Sequence, residues 1–266
     1  MTSAILTDLA LAHLLADAAR AEILPHFRQP GLLAQNKETA GFDPVTVADR
    51  TAERAMRDLL TLHRPQDGIW GEEFGRQNGT SGREWVLDPI DGTRGFISGT
   101  PTWGVLIALS DQNGPTLGLI DQPYTRERFV GAPDVAELVG PFGTMPMATR
   151  STRTLDQAIL FTTYPEVGTP AERAAFEAVA ARTKLARYGM DCYAYALLAA
   201  GQIDLVIEAG LNAYDIQAPI AVIQAAGGVV TDWRGNPAHL GGRVVAAANS
   251  EIHAAALDLL RTTAEG

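Results

Sequence analysis

The sequence predicts a layered α/β fold: an amphipathic helix opens the chain, short apolar strands fill its first half, and strands alternate with helices through its second. Over residues 4–27, Ile5, Leu9, Ala12, Leu15, Ala19, Ile23 and Phe27 recur every three or four positions, which is one helix face, and Pro30-Gly31 ends it. Residues 35–43 are polar, contain Lys37, and predict a mobile loop or hairpin. Thr46-Val47-Ala48-Asp49 reads as a capping box opening a second helix to about Leu62, with Ala52, Ala55, Met56 and Leu59 turned inward. Residues 68–71 form a short strand with Glu72-Glu73 at its end. Residues 84–87 form a buried strand that Asp88 ends, and residues 103–110 and 116–120 form a hairpin around Asp111–Gly114. Beyond residue 150, strands at 158–162, 184–188, 204–208, 229–231 and 244–247 alternate with helices at 170–181, 192–200, 215–226 and from Ser250 to about Thr263. A boundary near 150 divides an N-terminal α+β part (1–150), which carries the metal site, from a C-terminal α/β part (151–266) that completes it.

Of the 266 residues, 46% are hydrophobic and 20% charged, the balance of a globular protein with a sizeable core. The net charge of -10 repels nucleic acid and anionic membranes, so neither is expected as a partner. It also repels an anionic substrate, and a phosphate site then needs local positive charge, which bound metal ions supply. Cys192 is the single cysteine, so neither an intrachain disulfide nor a Cys-rich zinc site is expected. The N-terminus has no basic start and the chain has no run of about 18 apolar residues, so the expected location is the cytoplasm. His13, His26, His63, His239 and His253 show no ligand spacing.

The most informative stretch is Trp85-Val-Leu-Asp88-Pro-Ile-Asp91-Gly-Thr93. Two carboxylates stand three residues apart directly after an apolar strand, Pro89 turns the chain out of the sheet, and Gly92 permits a sharp turn. Asp91 is a good N-cap for a helix starting there, and a helix start offers free N–H groups to a phosphate. Hard divalent cations want such oxygens, and Glu72 and Asp215, each at the end of another element, can add to the set. The same run is also ordinary turn chemistry; the company of Glu72 and Asp215 favours the metal reading.

Gly71-Glu72-Glu73, the Asp88-to-Thr93 motif, and Tyr214-Asp215 followed by Ala225-Ala-Gly-Gly228 resemble the inositol monophosphatase family in order and spacing. The resemblance implies an αβαβα sandwich, commonly dimeric, that hydrolyses small phosphate monoesters with two or three Mg²⁺ ions. It implies that Glu72, Asp88, the Ile90 carbonyl, Asp91 and Asp215 hold metal. It also implies that Thr93 with Asp49 deprotonates the attacking water near Glu72, that the Gly92 and Thr93 amides hold the phosphate, and that Lys37 sits on a mobile loop nearby. Tyr214 departs from the tryptophan usual in inositol-specific members.

Around this set, residues 93–104, 188–195 and 203–210 are similar to the histidinol-phosphate phosphatase branch. Histidinol phosphate carries an ammonium and an imidazole, which carboxylates suit better than they suit neutral hydroxyls. Asp191 and Glu208 fall where the family binds the non-phosphate part of its substrate. Arg187 either pairs with Asp191 or touches the phosphate, and Asp91 and Asp215 reach the substrate as well. Asp191 can instead cap the helix at 192–200, and Glu208 is shared with inositol-hydrolysing relatives. Tyr193, Tyr195, Cys192 and Trp103 read as packing residues, and Arg94 as a solvent-facing one. A catalytically silent binding protein of the same fold is the non-enzyme alternative.

Overall fold

The spacing at the start of the chain folds into helix α1 (Asp8–Ile23), with Thr7 Oγ1 accepting the Ala10 N–H and with Leu11, Leu15, Ala19 and Ile23 fully buried. The computed structural model describes residues 6–30, 35–36 and 44–264, so Lys37 lies outside the described residues. Strands β1 (Gln35–Asn36) and β2 (Pro44–Val45) pair antiparallel. Helix α2 (Val47–His63) follows, and Thr46 and Asp49 close the expected capping box.

Eight strands then build one sheet. They are β3 (Gly68–Gly71), β4 (Gly75–Gln77), β5 (Glu84–Asp91), β6 (Gly104–Asp111), β7 (Gly114–Gln122), β8 (Glu127–Ala132), β9 (Val135–Gly140) and β10 (Gly143–Pro146), in the order β10-β9-β8-β7-β6-β5-β3-β4. Within this sheet only β3 and β5 pair parallel. Helix α3 (Thr93–Ser98) sits between β5 and β6. A second sheet takes β11 (Ile159–Thr162), β12 (Leu185–Tyr188), β13 (Leu205–Leu211), β14 (Val229–Thr231) and β15 (Gly242–Ala247), in the order β12-β11-β13-β15-β14. Helices α4 (Pro170–Ala180), α5 (Asp191–Ala199), α6 (Ala213–Ala225) and α7 (Ser250–Ala264) complete the described chain.

Strand alternation sorts the core into layers. Trp85, Leu87, Val105, Ile107 and Leu109 point toward α1 and α2, while Val86, Leu106 and Ala108 point the other way, toward α5 and α6. In the second sheet Phe161, Val206, Val244 and Ala246 meet that same middle layer, and Leu160, Leu205, Ile207 and Val245 face α4 and α7. The result is helix, sheet, helix, sheet, helix: the αβαβα sandwich that the resemblance implies. The middle helices touch both sheets, and the site lies there.

Two local details differ from expectation. Strand β5 does not stop at Asp88 but runs on to Asp91. Its register against β6 slips between Asp88, opposite Leu106, and Asp91, opposite Gly104, so three steps on one strand face two on the other. Pro89, which has no N–H to give a ladder, sits inside this bulge. Residues i and i+3 of a regular strand face opposite ways; one extra residue turns them to the same side. Ile90 accordingly packs toward α1 and α2, leaving Asp88 and Asp91 together on the α5–α6 side. Strand β13 repeats the device, with a slip between Glu208 and Leu211 against β15.

Candidate active site

Helix α6 is capped at its start by Asn212, whose N–H donates to Asp215 Oδ2 at 2.6 Å. The helix lies directly on sheet backbone at two glycines. A Cβ on Gly118 would come within 2.3 Å of the Ala218 carbonyl oxygen, and one on Gly131 within 2.4 Å of Val222 Cα. This seat carries Asp215 to the bulge in β5. Asp88, Asp91 and Asp215 each bring one carboxylate oxygen within 4.8 Å of the others.

The carboxylates are held by backbone. Ile90 N–H donates to Asp88 Oδ1 at 3.0 Å, Cys192 N–H to Asp91 Oδ2 at 2.6 Å, and Thr46 N–H to Asp49 Oδ2 at 2.8 Å. With the Asn212–Asp215 bond, each of the four has one oxygen tied to backbone. Glu72 is aimed by a residue that sequence reading missed. Glu53 on α2, fully buried, accepts the N–H groups of Glu73 at 2.7 Å and Phe74 at 3.2 Å, and pairs with Arg57 at 2.7 Å. Its signal in the sequence was an acid on the inward stripe of α2, between Ala52 and Met56 and one turn after Asp49. Gly71 leaves it room, since a Cβ there would lie 2.0 Å from Glu53 Oε1.

So many buried acids raise one another. Burial first, then the charges of Glu72, Asp91 and Asp215, push Asp88 well above the usual carboxylate range. Burial, Asp215 and Asp191 do the same to Asp91, against the Cys192 N–H. Burial lifts Asp215 to about 7, with Glu72 adding to it. Burial also takes Asp49 to about 7, the Thr46 bonds opposing and Glu73 and Glu72 assisting. Such a set is costly without positive charge. It fits hard divalent cations: oxygen donors only, aimed by backbone tethers.

The cluster forms the floor of a cavity of about 390 Å³, which also reaches Glu72, Ile90, Gly92, Thr93, Asp191, Glu208 and Tyr214. That volume suits a small ligand. Glu208 is buried, and its Oε1 accepts Thr163 N–H at 2.7 Å and the Thr163 hydroxyl at 2.9 Å; burial pushes it up to about 7. Asp191 packs over Gly92, where an added Cβ would meet its own Cβ at 2.8 Å.

Several expectations are corrected. Asp91 does not cap α3. Gly92, with φ 84°, is the N-cap, and Asp91 instead binds the first turn of α5. Asp191 does not cap α5 either. Met190 holds the N-cap position, and Asp191 has φ 45°, a left-handed conformation rare for a residue with a Cβ. Arg187 lies on β12, the exposed outer strand of the second sheet, away from the cavity wall. Arg94 takes its place near Asp191. It stacks over the Tyr164 ring at 5.2 Å, bonds the Tyr164 hydroxyl, and opposes the burial that lifts Asp191 to about 6. Thr93 and Asp49 are not in contact: the Thr93 hydroxyl donates to the Ile90 carbonyl oxygen at 3.1 Å, and Asp49 Oδ1 is buried without a partner. Tyr193 is a packing residue bonded to Glu127, but Tyr195 lines the cavity.

Known proteins match this chain over nearly its full length. A bifunctional phosphatase of Arabidopsis thaliana, IMPL2, chloroplastic, is 41% identical over 263 residues, covering 94% of this chain and 74% of its own. A histidinol-phosphatase of Mycobacterium tuberculosis is 34% identical over 249 residues, covering 92% of this chain and 95% of its own. The structure of an inositol monophosphatase from Zymomonas mobilis superposes with a TM-score of 0.85 at 40% identity, covering 97% of this chain and 99% of that one. The family model of the inositol monophosphatases matches residues 7–265, and with the fold and the acidic site in place the chain belongs to the inositol monophosphatase family of metal-dependent phosphatases.

Proposed function

We propose that this phosphatase is Mg²⁺-dependent and hydrolyses L-histidinol phosphate to L-histidinol and inorganic phosphate. The observation that carries the reading is Asp191. Its backbone is held in an unfavourable conformation, it caps no helix, and it lines the cavity beside Gly92. Strain kept at a cavity points to use there. With Glu208 it gives the wall two carboxylates, which suit a cationic amine and an imidazole N–H. Inositol 1-phosphate is the second reading, favoured by the 40% identity to the Zymomonas enzyme.

Glu72, Asp88, the Ile90 carbonyl, Asp91 and Asp215 would hold the ions. Bound there, Mg²⁺ would neutralise phosphate oxygens and make a water molecule more acidic. The Gly92 and Thr93 amides hold the phosphoryl group against this floor. Asp49 Oδ1, with no partner of its own, is the proton acceptor, reached when the Thr93 hydroxyl leaves the Ile90 carbonyl. The water oxygen bonds phosphorus as its proton passes to Asp49, the ester P–O bond breaks, and the leaving alkoxide takes a proton from a solvent water, with no covalent enzyme intermediate.

The test is phosphate release from L-histidinol phosphate and inositol 1-phosphate side by side, with Mg²⁺ and with EDTA. A kcat/KM preference of about 100-fold for histidinol phosphate, roughly 2.7 kcal/mol, is expected, and Asp191→Asn should erase most of it. Preference for inositol 1-phosphate would move the assignment there.

A further inference from the structure

Tyr195 stands in α5 with its ring packed into the middle layer, 3% exposed. Its hydroxyl has no hydrogen-bond partner. Two residues earlier, Tyr193 shows how this helix satisfies a phenol: its hydroxyl donates to Glu127 Oε2 at 2.6 Å. A buried hydroxyl left unbonded destabilises a fold, and phenylalanine would fill the same space without that cost. Tyr195 is one of the residues that line the cavity. It stands close enough to Glu208, Asp91 and Asp215 that their charges add to burial in holding the phenol far above its usual range. It bonds none of these carboxylates.

We infer that Tyr195 is a specificity-determining residue whose hydroxyl donates a hydrogen bond to an acceptor on the alcohol part of the substrate. The inference rests on the proposed histidinol phosphate reading in its ligand, though not in its geometry. Glu208 and Asp191 on the same wall can only accept when ionised, and Tyr195 adds a donor. A neutral imidazole has one N–H and one nitrogen lone pair, so it needs both. Tyr195 touches no phosphate oxygen in this assignment; the amides at the start of α3 and the acidic floor serve that end of the substrate.

The experiment compares the full-length protein with Tyr195→Phe, both with saturating Mg²⁺, on L-histidinol phosphate and on phenyl phosphate. The alcohol part of phenyl phosphate has no nitrogen or added hydroxyl to bond. Expected is a fall of about tenfold or more in kcat/KM on histidinol phosphate, less than about twofold on phenyl phosphate, and an equal or higher Tm. Three results would overturn the inference. Equal losses on both substrates would place Tyr195 at the phosphoryl end. No loss on either would make its hydroxyl idle. A lower Tm with both activities down would make it structural. If the unaltered protein prefers inositol 1-phosphate, the substrate reading fails by itself, and the same comparison is run with inositol 1-phosphate against phenyl phosphate.

Discussion

At Asp91 one side chain serves two layers of the molecule. Its Oδ2 accepts Cys192 N–H at 2.6 Å, tying β5 to α5, while the carboxylate also joins Asp88 and Asp215. Asparagine keeps an oxygen for Cys192 but removes the charge. Asp91→Asn should lower kcat/KM at least about 100-fold, with circular dichroism unchanged and the metal-free Tm equal or higher. Full activity at saturating Mg²⁺ would remove Asp91 from the metal set. Glu208 allows a pH test away from that set. Burial raises it from 4.5 to about 7, so between those values the folded state binds more protons than the unfolded one. Stability is then fullest below about pH 4.5 and declines as pH rises toward 7. Glu208→Gln removes this decline and should gain on the unaltered protein through that window, by no more than about 3 kcal/mol in denaturant titrations. A parallel pair of stability–pH curves would contradict it. The acidic residues were legible because each stands at the end of an apolar element, where a ligand side chain is most conspicuous. Their tethers were not, because Cys192 N–H and Asp91 are 101 positions apart and no local pattern links them.

The elements decide whether those residues meet. α6 delivers Asp215, and its height above the sheet is set by Gly118 and Gly131, where helix and strand backbones nearly touch. Gly131→Ala places a methyl where 2.4 Å separates it from Val222 Cα, so the helix must lift. The expected cost is about 1–3 kcal/mol of stability, with a raised Mg²⁺ half-saturation because Asp215 moves with the helix. An unchanged Mg²⁺ requirement would show that Asp215 is positioned independently. The helices carrying the layers were legible from their apolar spacing, and the capping box at Thr46–Asp49 was too. β8, β9 and β10 were not read from the sequence. β10 is exposed throughout and β9 half exposed, so neither carries the apolar run that marks a buried strand. The slip in β5 was also hidden, since a bulge has no composition of its own and Asp-Pro-Ile-Asp reads as a strand end.

Across the whole molecule, the middle layer joins the two sheets. Val86 and Leu106 from one share a cluster with Val206 and Ala246 from the other, and the acids lie at its edge. Repulsion among the site's acids should therefore act on the layer that holds the sheets together, and bound cations should relieve it. Mg²⁺ at 100 times its dissociation constant adds about 2.7 kcal/mol, which should raise Tm by roughly 5–10 °C over the EDTA-treated protein. The gain should disappear in Asp91→Asn; if it persists, the ion binds elsewhere. The bulge in β5 has a consequence for how the gene can vary. Point changes at Pro89 keep the residue count, and with it the side of the sheet on which Asp91 emerges. Deleting Pro89 would leave Asp88 and Asp91 two residues apart on an even ladder, which is again the same side of the sheet, with Ile90 still turned toward α1 and α2. A three-nucleotide deletion at this codon should therefore keep both carboxylates on the site side and act on activity through the altered Asp88–Asp91 spacing, not through burial of Asp91.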